Sequence, residues 1–244
     1  MRIPLIYIDR PLTADAIMEL PAQTAHYLLQ VLRLKPGRKL VLFNGDGRDY
    51  QAILITAERR TSARVEVLGC SGKEPPAPLA IHLGLGIVKS ERMDFAVQKA
   101  VELGAASITP LLTEHCVVRI PRQRLTNRLV HWRKVALSAC EQSGRRLLPE
   151  ICETDRLPPW LNKHRGVTGI LLDPDADQSL CQLSQPEKEI AILIGPEGGL
   201  TGLETELAMQ DGFHRVRLGP RVLRTETALL AAISAIQTLW GDFR

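Results

Sequence analysis

Three prolines within four positions, Pro75, Pro76 and Pro78, divide this chain into two stretches with different periodicities. Proline fixes φ and lacks the amide donor, so neither a helix interior nor a central strand passes through such a run. Residues 73–80 are therefore predicted to be a linker. With 244 residues and 45% apolar content, the chain can bury a small domain before the linker and a larger one after it. The expected division is 1–72, linker 73–80, and 81–244.

Upstream, Arg38–Phe43 and Tyr50–Ile55 flank Asn44-Gly45-Asp46-Gly47. Asn-Gly tolerates the positive φ of a tight turn, which predicts a hairpin. Arg64–Leu68 alternates as a further strand, and His26–Leu34 reads as a short helix stopped by Pro36-Gly37. A small β-barrel is the expected result.

Downstream, strands alternate with helices. Predicted strands are Ile81–Ile87, Ser107–Leu112, Thr168–Leu172, Ile190–Ile194 and Arg215–Leu218. Predicted helices are Ser90–Leu103, Gln123–Gln142, a segment after Thr201, and Thr225–Trp240. Met93, Val97, Ala100, Val101 and Gly104 make the inner stripe of the first helix, and Thr201 with Glu204 matches a capping box. This alternation predicts an α/β fold with a mainly parallel sheet covered on both faces. The last helix is apolar nearly all round and is expected to be buried.

Several function classes are excluded. No run approaches the roughly 18 apolar residues of a membrane span, and the N-terminal apolar stretch is too short for a signal peptide. The five cysteines form no C-x-x-C pair and the histidines have no ligand spacing, so a disulfide framework and a metal site are not expected. A cytoplasmic location is the natural reading. Gly84-Leu85-Gly86-Ile87-Val88-Lys89-Ser90 lacks the third glycine of a dinucleotide fingerprint and the glycine before lysine of a P-loop. A formal net charge of +4 points only weakly to a polyanion. The stretch from Arg119 to Arg146 is more pointed: eight basic residues (Arg119, Arg122, Arg124, Arg128, Arg133, Lys134, Arg145, Arg146) stand against Glu141, a composition suited to phosphates. Aromatic residues are only 4%, so a grip on nucleic-acid backbone is expected rather than extended base stacking.

The most specific signals are two turns near the C-terminus, Gly195-Pro196-Glu197-Gly198-Gly199-Leu200-Thr201 and Leu218-Gly219-Pro220-Arg221-Val222-Leu223-Arg224-Thr225-Glu226-Thr227. Each follows a predicted strand and opens a helix. Loops at the carboxyl ends of parallel strands are where open α/β sheets bind ligands. A side chain at Gly198 is expected to intrude on a ligand's approach. An ordinary N-cap accounts for one threonine, but not for Arg224, Thr225, Glu226 and Thr227 together.

These two blocks resemble the knot-forming segments of the SPOUT class of RNA methyltransferases, and within it the branch that methylates N3 of a uridine in 16S rRNA. Arg92–Gly104, Ala139–Arg145 and His26–Arg33 also fit. The resemblance implies an N-terminal PUA-like barrel that grips RNA, and a C-terminal α/β domain with a deep trefoil knot. It implies S-adenosylmethionine as cofactor, 16S rRNA within the small ribosomal subunit as partner, and a homodimer. By the same resemblance Leu172, Gly195, Pro196, Glu197, Gly198, Gly199, Leu218, Gly219, Leu223, Arg224, Thr225 and Glu226 line the cofactor pocket. Candidate RNA contacts are Arg33, Lys89, Arg92, Arg133, Arg145 and Arg146.

Methyl transfer to uridine N3 needs two aligned reactants, loss of the imide proton, and compensation of charge on the base oxygens. N3 lies on the Watson–Crick edge, so the base must be unpaired or extruded. Arg224 and Arg145 are candidate donors to those oxygens, and Glu226 or Glu141 candidate proton acceptors. Cys140 is read as a buried apolar residue. Ribose 2′-O or purine N1 methylation, and a non-catalytic rRNA-binding assembly role, are the alternatives.

Overall fold

The stretch upstream of the prolines folds as a five-stranded sheet in the computed structural model, which describes residues 3–59, 61–116 and 122–243, with the side chains of 58, 59 and 122 left aside. By proximity of its parts the chain divides into two units, Met1–Pro76 with Cys140–Leu148, and Ala77–Ala139 with Pro149–Arg244. Cys140–Leu148 is thus grouped with the N-terminal unit, although it lies far downstream of the proline run in sequence.

In the N-terminal unit, β1 (Leu5–Tyr7), β2 (Ile17–Glu19), β3 (Lys39–Phe43), β4 (Arg48–Arg59) and β5 (Ser62–Lys73) pair in the order β1-β3-β4-β5-β2. The β3–β4 hairpin turns at Gly45 and Gly47, with φ of +93° and +85°. Asp46 accepts the Arg48 amide at 2.8 Å and the Tyr50 hydroxyl at 2.7 Å, which fixes that turn. Alternate residues of the strands, among them Leu40, Leu42, Leu54, Val65 and Val67, fill the core. The helix expected at His26–Leu34 begins earlier: α1 (Ala22–His26) runs into a π-helical turn, Tyr27–Val31. Arg33, just beyond it, is exposed with φ +53°.

Segment 140–148 is held in this unit by polar contacts. Glu141 Oε1 accepts the Tyr7 amide at 3.0 Å, and Glu74 Oε2 accepts the amides of Arg146 and Leu147 at 2.6 and 2.9 Å. Arg146 forks onto Asp49, Nε to Oδ1 at 2.6 Å and Nη2 to Oδ2 at 2.8 Å. Cys140 is fully buried, and burial pushes its thiol up to about 11, so it stays neutral near pH 7.

In the C-terminal unit, the strands are β6 (Ala80–Gly86), β7 (Ser107–Leu112), β8 (Glu150–Ile151), β9 (Asp155–Arg156), β10 (Thr168–Leu172), β11 (Glu189–Ile194) and β12 (Phe213–Val216). They pair in parallel, order β12-β10-β11-β6-β7-β8, with β9 also on β7. β12 lies two residues upstream of the expected Arg215–Leu218, which leaves Leu218 in the following loop. Buried residues run almost unbroken along β6 and β11, the pattern of strands covered on both faces.

The helices are α2 (Ser90–Glu102), α3 (Arg122–Ser143), α4 (Leu157–Lys163), α5 (Gly202–Gln210) and α6 (Thr225–Leu239). Met93, Ala96, Val97, Ala100 and Val101 of α2 are buried, and α2 packs against α6. The capping box at α5 is present, Thr201 Oγ1 accepting the Glu204 amide at 3.2 Å. α6 departs from expectation. Leu229, Ala232, Ile233 and Ile236 are buried, but its other flank is half-exposed and Leu239 is 40% exposed. Apolar composition here does not mean burial all round within one chain.

The α6 seam also carries a buried polar side chain. Gln237 is 1% exposed; its Nε2 donates to the Leu103 carbonyl at 2.8 Å and its Oε1 accepts the Asp242 amide at 3.2 Å. Gln237→Leu leaves two backbone groups unpaired and is expected to lower stability by about 2–4 kcal/mol. Urea unfolding with an unchanged midpoint would contradict this.

Candidate active site

The glycines that failed as nucleotide motifs have a packing explanation. A Cβ at Gly84 would lie 2.6 Å from the Trp160 ring, and one at Gly86 would lie 2.5 Å from Pro196 Cδ and N. The bare backbone of β6 therefore lets the Gly195–Leu200 loop settle over it. Gly199 turns at φ +72°, with its amide donating to the Pro196 carbonyl at 2.9 Å. Thr225 Oγ1 donates to the Gly195 carbonyl at 3.2 Å. Thr225 is 6% exposed and does not cap its helix; it ties the two sequence-distant loops together.

Beside these loops, at the carboxyl ends of β10, β11 and β12, lies a cavity of about 720 Å³. Strand order reverses here, since the chain passes from β11 over β10 to β12, and such a crevice is the usual ligand position in open α/β sheets. The volume falls within the roughly 300–1,000 Å³ of small-molecule and cofactor sites. Its wall joins apolar side chains such as Leu171, Ile194, Leu200 and Val216 to the carboxylates of Asp173, Glu197 and Glu206.

Of the expected pocket residues, the wall contains Leu172, Gly195, Pro196, Glu197, Gly199, Leu218, Leu223, Arg224 and Thr225. Gly198, Gly219 and Glu226 are not part of it. Gly198 faces elsewhere: a Cβ there would lie 2.9 Å from His115 Cβ, so the expected intrusion on the ligand is replaced by a collision with a neighbouring loop. Glu226 stands next to the wall. Its Oε1 is 3.8 Å from Arg92 Nε, while its Oε2 is buried with no partner among the described residues. Arg92 Nη1 also reaches Glu197 Oε1 at 3.4 Å, so one guanidinium bridges a carboxylate from each loop. Arg92, an expected RNA contact, thus also lines the cavity wall. Arg215, which pairs with Asp173 at 2.8 Å, lines the wall too and was missed.

Other expected residues are not among those that form the cavity wall. Glu141 and Arg145 belong to the N-terminal unit, and burial pushes the Glu141 carboxyl up from its ordinary value. Arg146 pairs with Asp49 at 2.6 Å. Lys89 is exposed at the start of α2, and its amide reaches Glu197 Oε1 at 3.4 Å. Along α3, Arg124, Arg133 and Lys134 are exposed, Arg133 also reaching the Ile151 carbonyl at 3.3 Å, while Arg128 reaches Ser90 Oγ at 3.2 Å. Arg119 and the side chain of Arg122 lie outside the described residues.

Sequence profiles of two families match: one described as an RNA methyltransferase domain over residues 75–237, and one described as an RNA methyltransferase PUA domain over residues 20–68. The ribosomal RNA small subunit methyltransferase E of Buchnera aphidicola from Schizaphis graminum is 37% identical over 99% of this chain and 98% of its own length. This chain belongs to the ribosomal RNA small subunit methyltransferase E family. A solved methyltransferase E, from Neisseria gonorrhoeae bound to S-adenosyl methionine, matches at TM-score 0.92 and 37% identity, covering 100% of both chains. A Legionella pneumophila structure in complex with the same cofactor matches at TM-score 0.95 and 34% identity, again over 100% of both. As a methyltransferase E family member the chain has an N-terminal PUA-like unit and a C-terminal parallel α/β unit. No helix among its described residues is long and apolar enough to cross a membrane.

Proposed function

We propose that this enzyme methylates N3 of a uridine in 16S rRNA, using S-adenosylmethionine held in the cavity between the two C-terminal loops. The observation that carries the proposal is the cavity itself, of cofactor size and closed by backbone-rich turns tied through Thr225 and Gly195. Its wall suits the cofactor. Leu172, Leu218 and Leu223 offer apolar surface to a purine, and Glu197, Asp173 and Glu206 offer negative charge to a cationic ligand. When bound, S-adenosylmethionine supplies a methyl group made electrophilic by its sulfonium.

The chain's own residues perform the rest. Arg221 and Arg224 line the cavity, and no carboxylate pairs with either among the described residues, so their charge remains for the uracil oxygens as the N3 proton leaves. For the proton we favour Glu226, whose Oε2 is unpartnered, over Glu141, which accepts the Tyr7 amide. Exposed Arg33, Arg124 and Lys134 are read as backbone contacts to folded RNA.

We read the active form as a homodimer in the cytoplasm, with the final loop and helix threaded as a deep trefoil knot. Leu203 and Val222, 80% and 83% exposed, sit beside the cavity, and the half-exposed flank of α6 adds to them. A second copy covering this apolar surface would complete the site. The five unpaired cysteines suit a reducing compartment.

The test is transfer of labelled methyl from S-adenosylmethionine to small subunits and to naked 16S rRNA, followed by nucleoside analysis. N3-methyluridine is the expected product. A methylated ribose or N1-methylpurine would replace the proposal, and absence of cofactor binding would favour a non-catalytic assembly role.

A further inference from the structure

The loop after β7 lies against the Gly195–Leu200 turn, and its side chains have no part in the proposed chemistry. His115 Nδ1 is 2.9 Å from the Gly198 carbonyl oxygen. A carbonyl only accepts, so Nδ1 carries the proton, and both the neutral tautomer and the imidazolium keep this bond. The next contact is equally direct. Glu114 donates its amide to Glu204 Oε1 at 3.0 Å, while Glu204 Oε2 accepts the Thr201 amide at 2.9 Å. One short loop is therefore fastened to the middle of the turn and to the helix start that ends it. The Cys116 amide closes on the Thr113 carbonyl at 3.2 Å, and Cys116 Sγ takes the Thr113 amide at 3.3 Å, so the brace is itself a defined turn.

What His115 holds is the peptide plane between Gly198 and Gly199. Two adjacent glycines leave such a plane free to rotate, since neither carries a Cβ that would select one orientation. The carbonyl of this plane is held by His115 outside the cavity wall. The amide of the same plane closes onto Pro196 within the turn whose Gly199 lines the cavity. The missing side chain at Gly198 is what lets His115 approach.

We propose that His115 is a positioning residue that locks the Gly198–Gly199 peptide in the orientation the cofactor turn needs. The proposal rests on the reading of that turn as the cofactor site. It touches no reacting atom, so it acts on cofactor affinity and on KM for the cofactor, and leaves kcat at saturation unchanged.

Three substitutions in the full-length protein test it. The side-chain amide nitrogen of His115→Asn falls where Nδ1 stands, and affinity for S-adenosylmethionine by calorimetry is expected within about threefold of the parent. His115→Ala removes the donor and is expected to lose about three- to tenfold, the size of one partly exposed hydrogen bond. His115→Asp matches asparagine in size but sets an anion against the carbonyl, and is expected to be the weakest. Equal affinities for the Asn and Asp variants would overturn the proposal, because packing alone treats them alike. Hydrogen exchange at the Gly199 amide without cofactor gives a separate reading: faster exchange in the Ala and Asp variants supports the lock, and unchanged exchange overturns it. A parent protein that binds no cofactor would refute the reading of the site, and the exchange rates would still decide the lock.

Discussion

Arg224→Ala is expected to lower kcat about 100- to 1,000-fold while leaving RNA affinity within a few-fold. The size follows from removing one preorganised donor to negative charge that develops as the N3 proton leaves. Arg224 precedes the first residue of α6, lines the cavity, and has no carboxylate partner among the described residues. Neighbouring guanidiniums differ: Arg92 is engaged by Glu197 and Glu226, and Arg215 by Asp173. An unpaired cation in a cavity that also carries the carboxylates of Asp173, Asp175, Glu197 and Glu206 remains available to a charge that forms only during reaction. Single-turnover rates at saturating cofactor and RNA, set beside filter-binding affinities, separate the two effects. Parallel losses in both would make Arg224 an RNA anchor instead.

A methyl group at Gly86 should be nearly as damaging, from beneath the site. The added Cβ would meet Pro196 Cδ and N at 2.5 Å and the Gly195 carbonyl carbon at 3.0 Å, so the obstruction is backbone and ring rather than a movable side-chain tip. The Gly195–Leu200 turn must lift off β6, and overpacking of this kind costs about 1–3 kcal/mol. Because the displaced atoms form the cavity wall, about 2 kcal/mol of that is expected to appear as roughly thirtyfold weaker cofactor affinity in Gly86→Ala. Calorimetry on a variant shown by circular dichroism to be folded checks this. Undiminished affinity would mean that the turn does not need its seat on β6.

The contrast between these two positions shows what the sequence made legible. Arg224 was conspicuous because a charged residue, two hydroxyls and a carboxylate stood together before an apolar helix. Gly86 was noticed only as part of a failed phosphate motif. Its reason, a proline from a loop about a hundred residues away, is a tertiary contact that no local pattern announces. The long strands and helices were readable because burial repeats along them, Ser107–Leu112 being a case where expected and observed bounds coincide. Helix α4 was not, since Pro158-Pro159 reads as a break, although prolines fit the unbonded first turn of a helix. The short strands β1, β8 and β9 have too few residues to show any period.

In the basic run, composition was legible and pairing was not. Within the run from Arg119 to Arg146, Arg146 pairs with Asp49 and Arg128 reaches Ser90 Oγ. Sequence counts charges but does not pair them. His115 carried no signal at all, as a lone histidine in a loop, and its contact with Gly198 depends on two strands being neighbours of β6 on opposite sides.

The tie between Thr225 and the Gly195 carbonyl fixes an order of events during synthesis. Its donor sits on the last helix, so a growing polypeptide cannot close the cleft until that helix has left the ribosome and docked. A chain cut before α6 is therefore expected to leave the cleft open and to bind no S-adenosylmethionine, whatever basic surface it still presents.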